Sequence, residues 1–507
     1  MNSLKKGLLF WKQQLQKYQN KNGGGRGMKY FNYINGEWKE PSTSAYVKNY
    51  NPHNGEVLGE FPFSSVEDTR VAIASAKEAF HTWQKLSFQE RASYLWKAAA
   101  ILKEKVNEIG QDVTNEEGKT IAEGIGETKR AISILEYYAG EANQPIGEII
   151  PSANESTMLY SKREAVGPVG LITPWNFPIA IPAWKMAPAL IYGNTIVIKP
   201  AEVTPKSVYH LVNAFHEAGI PAGVINCVFG KGSEVGAELT GNPDIQAVSF
   251  TGSNHVGNII QKAAVETRKK VQLEMGGKNP LVVLKDADIE KAVTIAIKGA
   301  FMSTGQKCTA TSRVIVEENI YEAFKDRLLQ RTEALTVGNP LNPDTFMGPC
   351  VSKGQQQSVL SMIEVGKEEA SLLYGGSVPD ETELQNGCYV LPTIFENVDG
   401  DARIAKEEIF GPVICLFKVN SYEEAVSLAN DTEYGLSASI CTNNLSLSQR
   451  FIDDMEVGMV HVNSETAGAE PQVPFGGMKN SSAGPREQGK AAKEFYTRMK
   501  TVYVDRV

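Results

Sequence analysis

The chain has 507 residues, 42% of them hydrophobic and 22% charged, with a formal net charge of −8. That is an ordinary globular composition, long enough for two to four domains with proper cores. It offers no basic footprint for nucleic acid and no apolar run of the ~18 residues that a membrane span needs. The six cysteines (227, 308, 350, 388, 415 and 441) are scattered, with no CxxC pair and no His cluster nearby. This pattern argues against a zinc site or a disulfide framework and suits a reducing, cytoplasmic setting.

Residues 1–27 carry six Lys/Arg and no acid, and end in "KNGGGRG" before Met28. They read either as a basic functional arm or as an extension that is disordered or not native, the second with Met28 as the expected true start. From there "KYFNYINGEWKE" alternates polar and apolar residues around an Asn-Gly turn. Three helices are expected next. One begins at the capping box Ser64-x-x-Glu67, one at Ser87-x-x-Glu90, and one covers "GETKRAISILEYYAGEA" at 126–142.

A run of short apolar strands follows, each leading into a helix: "VGLITPWNFP", "NTIVIKPAE", "GVINCVFG" and "AVSFTGS". Such alternation predicts an α/β fold with a doubly wound parallel sheet, whose strand-end loops form the ligand edge. A second α/β region begins near "KNPLVVLKDADIEKAVTIAIKGAF" and runs past "EEIFGPV" to "PFGG". The alternating stretches 155–166 and 497–507 fall outside both blocks, and either pair with each other or with another subunit.

Four loops hold candidate chemistry. In "FMSTGQKCTATSR" Cys308 sits among small polar residues with Lys307 and Arg313 close by. It reads either as a nucleophile or as a buried structural thiol. In "VQLEMGGKNP" Glu274 ends a strand before two glycines. That is a place for a general base at a cleft, or for a solvated strand-end carboxylate. In "TPWNFP" Asn176 lies in a loop stiffened by two prolines, as an oxyanion donor or as a plain turn residue. No GxGxxG is present. "SFTGSNHVG" instead sets Gly252, Ser253 and Gly257 at a strand-to-helix junction able to take a diphosphate, and "VIKPAE" sets Lys199 and Glu202 at another strand end.

Taken in order, PWN, KPAE, FTGSxxxG, LEMGGK, GQxC, EEIFGP and PFGG resemble the aldehyde dehydrogenase superfamily from about residue 30 to the end. The resemblance implies a dinucleotide-binding domain (28–142 and 166–276) and an α/β catalytic domain (277–478). It also implies a small β oligomerisation arm (143–165 and 493–507) making homodimers or homotetramers. It implies Cys308 as nucleophile, Glu274 as base, Asn176 with the Cys308 N–H as oxyanion hole, and Lys185 as a residue tuning the cysteine. Thr173, Trp175, Lys199, Glu202, Gly232, Gly252, Ser253, Val256, Gly257, Glu408 and Phe410 would hold the cofactor. Phe177, Lys307 and Phe475 would flank the substrate. NAD is the expected cofactor, with NADP possible, and no metal is required. A Glu at 274 favours release of a free acid over transfer to CoA.

Among members of the superfamily, "PFGGMKNSSAGPREQG" and its companions are most similar to 2-oxoglutarate semialdehyde (2,5-dioxopentanoate) dehydrogenases. Some relatives hold a substrate carboxylate with a Gln and an Arg just after PWNFP, where this chain has Ala180 and Ala183. Lys307 reads either as a carboxylate-attracting group or as an ion-paired lysine. Succinic semialdehyde, glyceraldehyde and simple aliphatic aldehydes stay open as substrates. So does a non-catalytic, cofactor-binding structural role.

Overall fold

The structure, a computed structural model, describes residues 28–506; the expected extension 1–27 lies outside them. Two large sheets organise the chain. In the first, strands Ile225–Cys227, Thr195–Lys199, Pro168–Ile172, Ala247–Thr251 and Lys270–Glu274 run parallel in that spatial order. The order reverses between Pro168–Ile172 and Ala247–Thr251. The crevice at that switch, beyond the carboxyl ends of the strands, is where an open α/β sheet binds its ligand. The strand Asn32–Ile34, turned by Asn35-Gly36 onto Glu37–Lys39, closes one edge. Ser482–Ala483 returns from late in the chain to close the other, pairing antiparallel with Leu273 and Glu274.

The helices that cover this sheet depart from expectation at two places. The first, Val66–Trp83, is capped by Ser65 and Asp68 rather than by Ser64 and Glu67. Ser64 is held elsewhere: its hydroxyl accepts from Asn32 Nδ2 at 2.8 Å and its N–H donates to the Phe229 carbonyl at 3.1 Å. The cap therefore moves one residue along. The second departure is a fourth helix, Val106–Glu117, which ends at Gly118 in a left-handed conformation before Ile121–Gly140 begins. Phe88–Glu104 carries the expected Ser87/Glu90 box.

The second sheet begins immediately after Glu274-Met275-Gly276-Gly277-Lys278. Its strands Thr393–Glu396, Val413–Val419, Thr311–Glu317, Asn279–Val283, Ser437–Cys441 and Met459–Val462 are parallel, and Ser371–Tyr374 adds an antiparallel edge. The segments left over from both blocks pair with each other: Thr157–Ala165 and Thr497–Asp505 align antiparallel along their whole length, with Ile149–Ile150 on the far side. This small sheet leaves Ile149, Met499 and Tyr503 exposed.

Candidate active site

Glu274 is the last residue of its strand and is 2% exposed. On one side it neighbours Thr251, and its carbonyl accepts from Gly252 N at 3.0 Å. On the other it pairs with Ser482, whose hydroxyl donates to Glu274 Oε2 at 2.6 Å. Burial, and then the neighbouring Glu487 carboxylate, lift the Glu274 pKa well above the ordinary carboxylate value; Ser482, Lys185 and Arg486 oppose that rise. A rise of this kind moves a carboxyl toward the range of a general base.

The cysteine arrives by a constrained turn. Ser303, Thr304 and Gly305 all have left-handed φ, a conformation that non-glycine residues keep only when their surroundings enforce it. Here Glu123 accepts from Ser303 N at 2.7 Å and Ser303 Oγ at 3.1 Å, and Thr304 Oγ1 donates to the Gly348 carbonyl at 3.0 Å. Asn279 Nδ2 then fixes the Cys308 carbonyl at 2.9 Å. Gly277 packs so close to that carbonyl that a Cβ would lie 2.5 Å from it. Cys308 is partly exposed, whereas the other five thiols are buried. Burial, then Glu408, then Glu274 push its thiol pKa up, so at rest it is a neutral S–H in need of a base.

A cavity of about 310 Å³ opens onto Cys308, lined by Phe177, Ile181, Trp184, Met302 and Phe475 with a few polar groups. Trp184 and Phe475 pack with ring centroids 5.4 Å apart. Asn176 is buried next to Phe177, and its side-chain oxygen has no hydrogen-bond partner among the described residues. Its loop is clamped from behind by Lys119, whose Nζ donates to the Asn176 carbonyl at 2.7 Å and to Glu127 Oε2 at 2.7 Å. Lys307 lines the cavity but is committed, with Glu465 at 3.6 Å and the Lys298 carbonyl at 3.2 Å. Lys185 is fully buried and forms an ion pair with Glu487 and a 2.7 Å hydrogen bond to Ser249. Its charge is felt at Glu274, while Glu408 and Glu274 raise the Cys308 thiol, which also interacts with Lys307.

Across the sheet switch, residues expected at a cofactor gather at the strand ends. Lys199 is 5% exposed and faces Glu202 at 3.6 Å; Glu202 in turn accepts from Gly232 N at 3.1 Å. Ser253 caps the fourteen-residue helix Asn254–Thr267, which carries Val256 and Ile259 exposed near its start. A Cβ at Gly252 would strike Phe250 at 2.6 Å, and one at Gly257 would strike Met275. Trp175 meets Phe410 edge-on at 5.1 Å. Glu408 accepts from Gly277 N at 2.9 Å, and burial raises its pKa to about 7. Thr173 Oγ1 and Thr251 Oγ1 are buried with no partner among the described residues. Unsatisfied hydroxyls at a sheet switch, beside a long helix N-terminus with an apolar flank, fit a dinucleotide.

The model of the aldehyde dehydrogenase family matches residues 38–502. The chain belongs to this family. It is 52% identical over 477 residues to the alpha-ketoglutaric semialdehyde dehydrogenase of Bacillus subtilis, a match covering 94% of this chain and 98% of that one. It is 44% identical to the alpha-ketoglutarate semialdehyde dehydrogenase of Haloferax volcanii, over 93% of this chain and 98% of that one. With the 2,5-dioxopentanoate dehydrogenase of Saccharolobus solfataricus it shares 41% identity, over 94% and 99% of the two chains. Among solved structures, betaine aldehyde dehydrogenase from Staphylococcus aureus in complex with NAD+ superposes with a TM-score of 0.92 at 34% identity, over 94% of this chain and 95% of that one.

As an aldehyde dehydrogenase, the chain contains polar groups that its sequence motifs did not reveal. Lys119, Glu123, Glu127 and Arg130 lie on the helix Ile121–Gly140 or just before it and reach the cavity. In sequence they look like the charged face of a surface helix. The Lys185–Glu487 pair joins residues 302 apart, a separation that no local pattern spans.

Proposed function

We propose that this enzyme oxidises 2-oxoglutarate semialdehyde (2,5-dioxopentanoate) to 2-oxoglutarate, with NAD preferred over NADP, by way of a thiohemiacetal and then a thioester on Cys308. The observation that carries the chemistry is the cavity ending at a partly exposed Cys308 within electrostatic reach of a buried, readily protonated Glu274. The substrate rests on three relatives, 41–52% identical over nearly their whole length, whose names specify one and the same compound.

Glu274 takes the thiol proton as the Cys308 sulfur adds to the aldehyde carbon. The Asn176 amide and the Cys308 backbone N–H receive the oxyanion. A bound nicotinamide supplies the hydride acceptor. Once the thioester has formed, Glu274 gives the thiol proton up to solvent; it then takes a proton from water, whose oxygen attacks the thioester carbon, and as the acid leaves Glu274 returns that proton to the sulfur. Glu487 adds to the burial-driven rise in the Glu274 pKa, and Ser482 and Lys185 oppose it. The chain's own groups for the cofactor would be Lys199, Glu202 and Gly232 toward the adenosine ribose, with Val256 along its apolar side. Gly252, Ser253 and Gly257 would take the diphosphate, and Thr173, Trp175, Glu408 and Phe410 the nicotinamide half. The Glu202 carboxylate disfavours a 2′-phosphate by repulsion. The exposed apolar residues of the Thr157–Ala165/Thr497–Asp505 sheet support assembly into dimers or tetramers.

The test is a panel of 2-oxoglutarate semialdehyde, succinic semialdehyde, glycolaldehyde and pentanal with each cofactor. Highest kcat/KM on the first with NAD is expected. Strong activity on another aldehyde with little on the first overturns the substrate, and a preference for NADP overturns the cofactor.

A further inference from the structure

We propose that Arg130 binds the carboxylate at the far end of the substrate, so that the cavity selects aldehydes carrying an anion about four carbon–carbon bonds from the reacting carbon. The inference rests on the substrate reading above and adds the group that recognises it.

Three cations line the cavity: Lys119, Lys307 and Arg130. Two are committed. Lys119 is bound to Glu127 and to the Asn176 carbonyl, and Lys307 to Glu465 and the Lys298 carbonyl. Arg130 makes no hydrogen bond and no ion pair with any described residue, although it is half-buried. The charge that acts on it is Glu470, an exposed carboxylate beyond ion-pair distance. The same cavity is lined by Glu123, Glu127 and Glu465, but these are taken up by the Ser303 N–H, by Lys119 with the Ile179 and Ala180 N–H groups, and by Lys307; a half-desolvated guanidinium with all five donors unused, beside Phe, Trp and Ile walls, is then an anion site by its chemistry. Its planar fork matches a carboxylate, and a 2-oxo acid offers a further oxygen alongside.

Its position fits as well as its charge. Glu123, Glu127 and Arg130 stand at i, i+4 and i+7 of the helix Ile121–Gly140, hence on one face. The first grips the turn that carries Ser303 toward Cys308, and the second accepts from Ile179 N at 2.9 Å and Ala180 N at 3.1 Å. Arg130 lies about 10 Å along the axis from Glu123. An extended five-carbon dioxo acid, with attack distance at one end and a charge-assisted hydrogen bond at the other, spans about 10–12 Å. The facing helix Ala180–Ile191 contributes Ala180, Ile181 and Trp184 to the cavity and no cation. Charge recognition therefore falls to the helix opposite.

The experiment compares the full-length enzyme with Arg130→Met and Arg130→Lys on 2-oxoglutarate semialdehyde and on pentanal, an uncharged aldehyde with the same carbon count. Reduction of NAD is the readout. In Arg130→Met the kcat/KM ratio of the dioxo acid to pentanal falls at least about 30-fold, mostly through KM, as expected for losing one partner of a desolvated charge pair. Arg130→Lys recovers part of the ratio. A ratio in Arg130→Met within about threefold of wild type overturns the inference, as does an equal loss on both aldehydes, which marks a structural role. If the wild type itself shows no preference for the dioxo acid, the substrate reading fails and takes this inference with it. If the wild type shows the preference and Arg130→Met keeps it, the inference alone fails.

Discussion

Replacing Lys119 by Met probes how the fold holds the loop of Asn176, the proposed oxyanion donor. Lys119 is 1% exposed, with Glu127 Oε2 at 2.7 Å, Glu117 Oε2 at 3.8 Å and the Phe177 ring centroid at 4.3 Å. Met preserves most of the volume but leaves two buried carboxylates without their cation. Breaking a buried pair in this way costs about 3–5 kcal/mol. If the chain melts as one unit, at about 2 cal/mol/K per residue, Tm falls by about 3–5 °C, and by about twice that if only the domain carrying Lys119 melts. The loss also depends on pH. Burial already holds the Glu117 pKa well above its ordinary value, and removing Lys119 raises it further. A carboxyl with a raised folded pKa contributes stability that is intact below its unfolded pKa and is lost as pH rises through the folded one. The gap between variant and wild type is therefore smallest near pH 5 and widens toward pH 8. Because the Asn176 carbonyl loses its donor, kcat falls by about tenfold or more if its amide is the oxyanion donor proposed above. Thermal scans at matched protein concentration and fixed rate over pH 5–8, with steady-state kinetics, check this. A variant melting within about 1 °C of wild type throughout, with unchanged kcat, refutes the reasoning.

Three further outcomes follow from the same geometry. Gly277→Ala places a methyl against the Cys308 carbonyl and 3.0 Å from Asn279 Oδ1; a sub-ångström displacement of the nucleophile should lower kcat by about 10–100-fold, and near-wild-type turnover would contradict the packing. The raised pKa of Glu274, needed as a base, makes kcat fall as pH drops through a midpoint above the ordinary carboxylate range; a flat profile down to pH 5 contradicts it. Glu202→Gln should raise the NADP/NAD ratio of kcat/KM by about tenfold, and an unchanged ratio means that Glu202 does not sense the 2′ position.

The strand–helix alternation and the strand-end place of Glu274 were legible because apolar periodicity and punctuating glycines are local signals. The stretches 155–166 and 497–507 were legible as orphaned strands that pair either with each other or with another subunit; a partner more than 300 residues away has no local trace, and the fold pairs them with each other. The cap at Ser65 was misplaced by one residue because Ser64, an equally good cap in sequence, is drawn off by Asn32 across 32 positions. Lys307, adjacent to Cys308, was legible as either a carboxylate-attracting group or an ion-paired lysine, and the fold pairs it with Glu465. Arg130 was invisible for the opposite reason: a charged residue on an amphipathic helix looks solvated until the neighbouring helix closes a cavity over it.

The central claim is a covalent acyl group on Cys308 whose release depends on Glu274. Glu274→Gln, mixed with 2-oxoglutarate semialdehyde and NAD, quenched in acid and digested, tests it by peptide mass. One equivalent of reduced cofactor per subunit is expected to form, more slowly than in the wild type because Cys308 has lost its base, and then to stop, leaving a 2-oxoglutaryl group on the peptide containing Cys308. Continued turnover with that peptide unmodified, or the acyl group on a different cysteine, would contradict it.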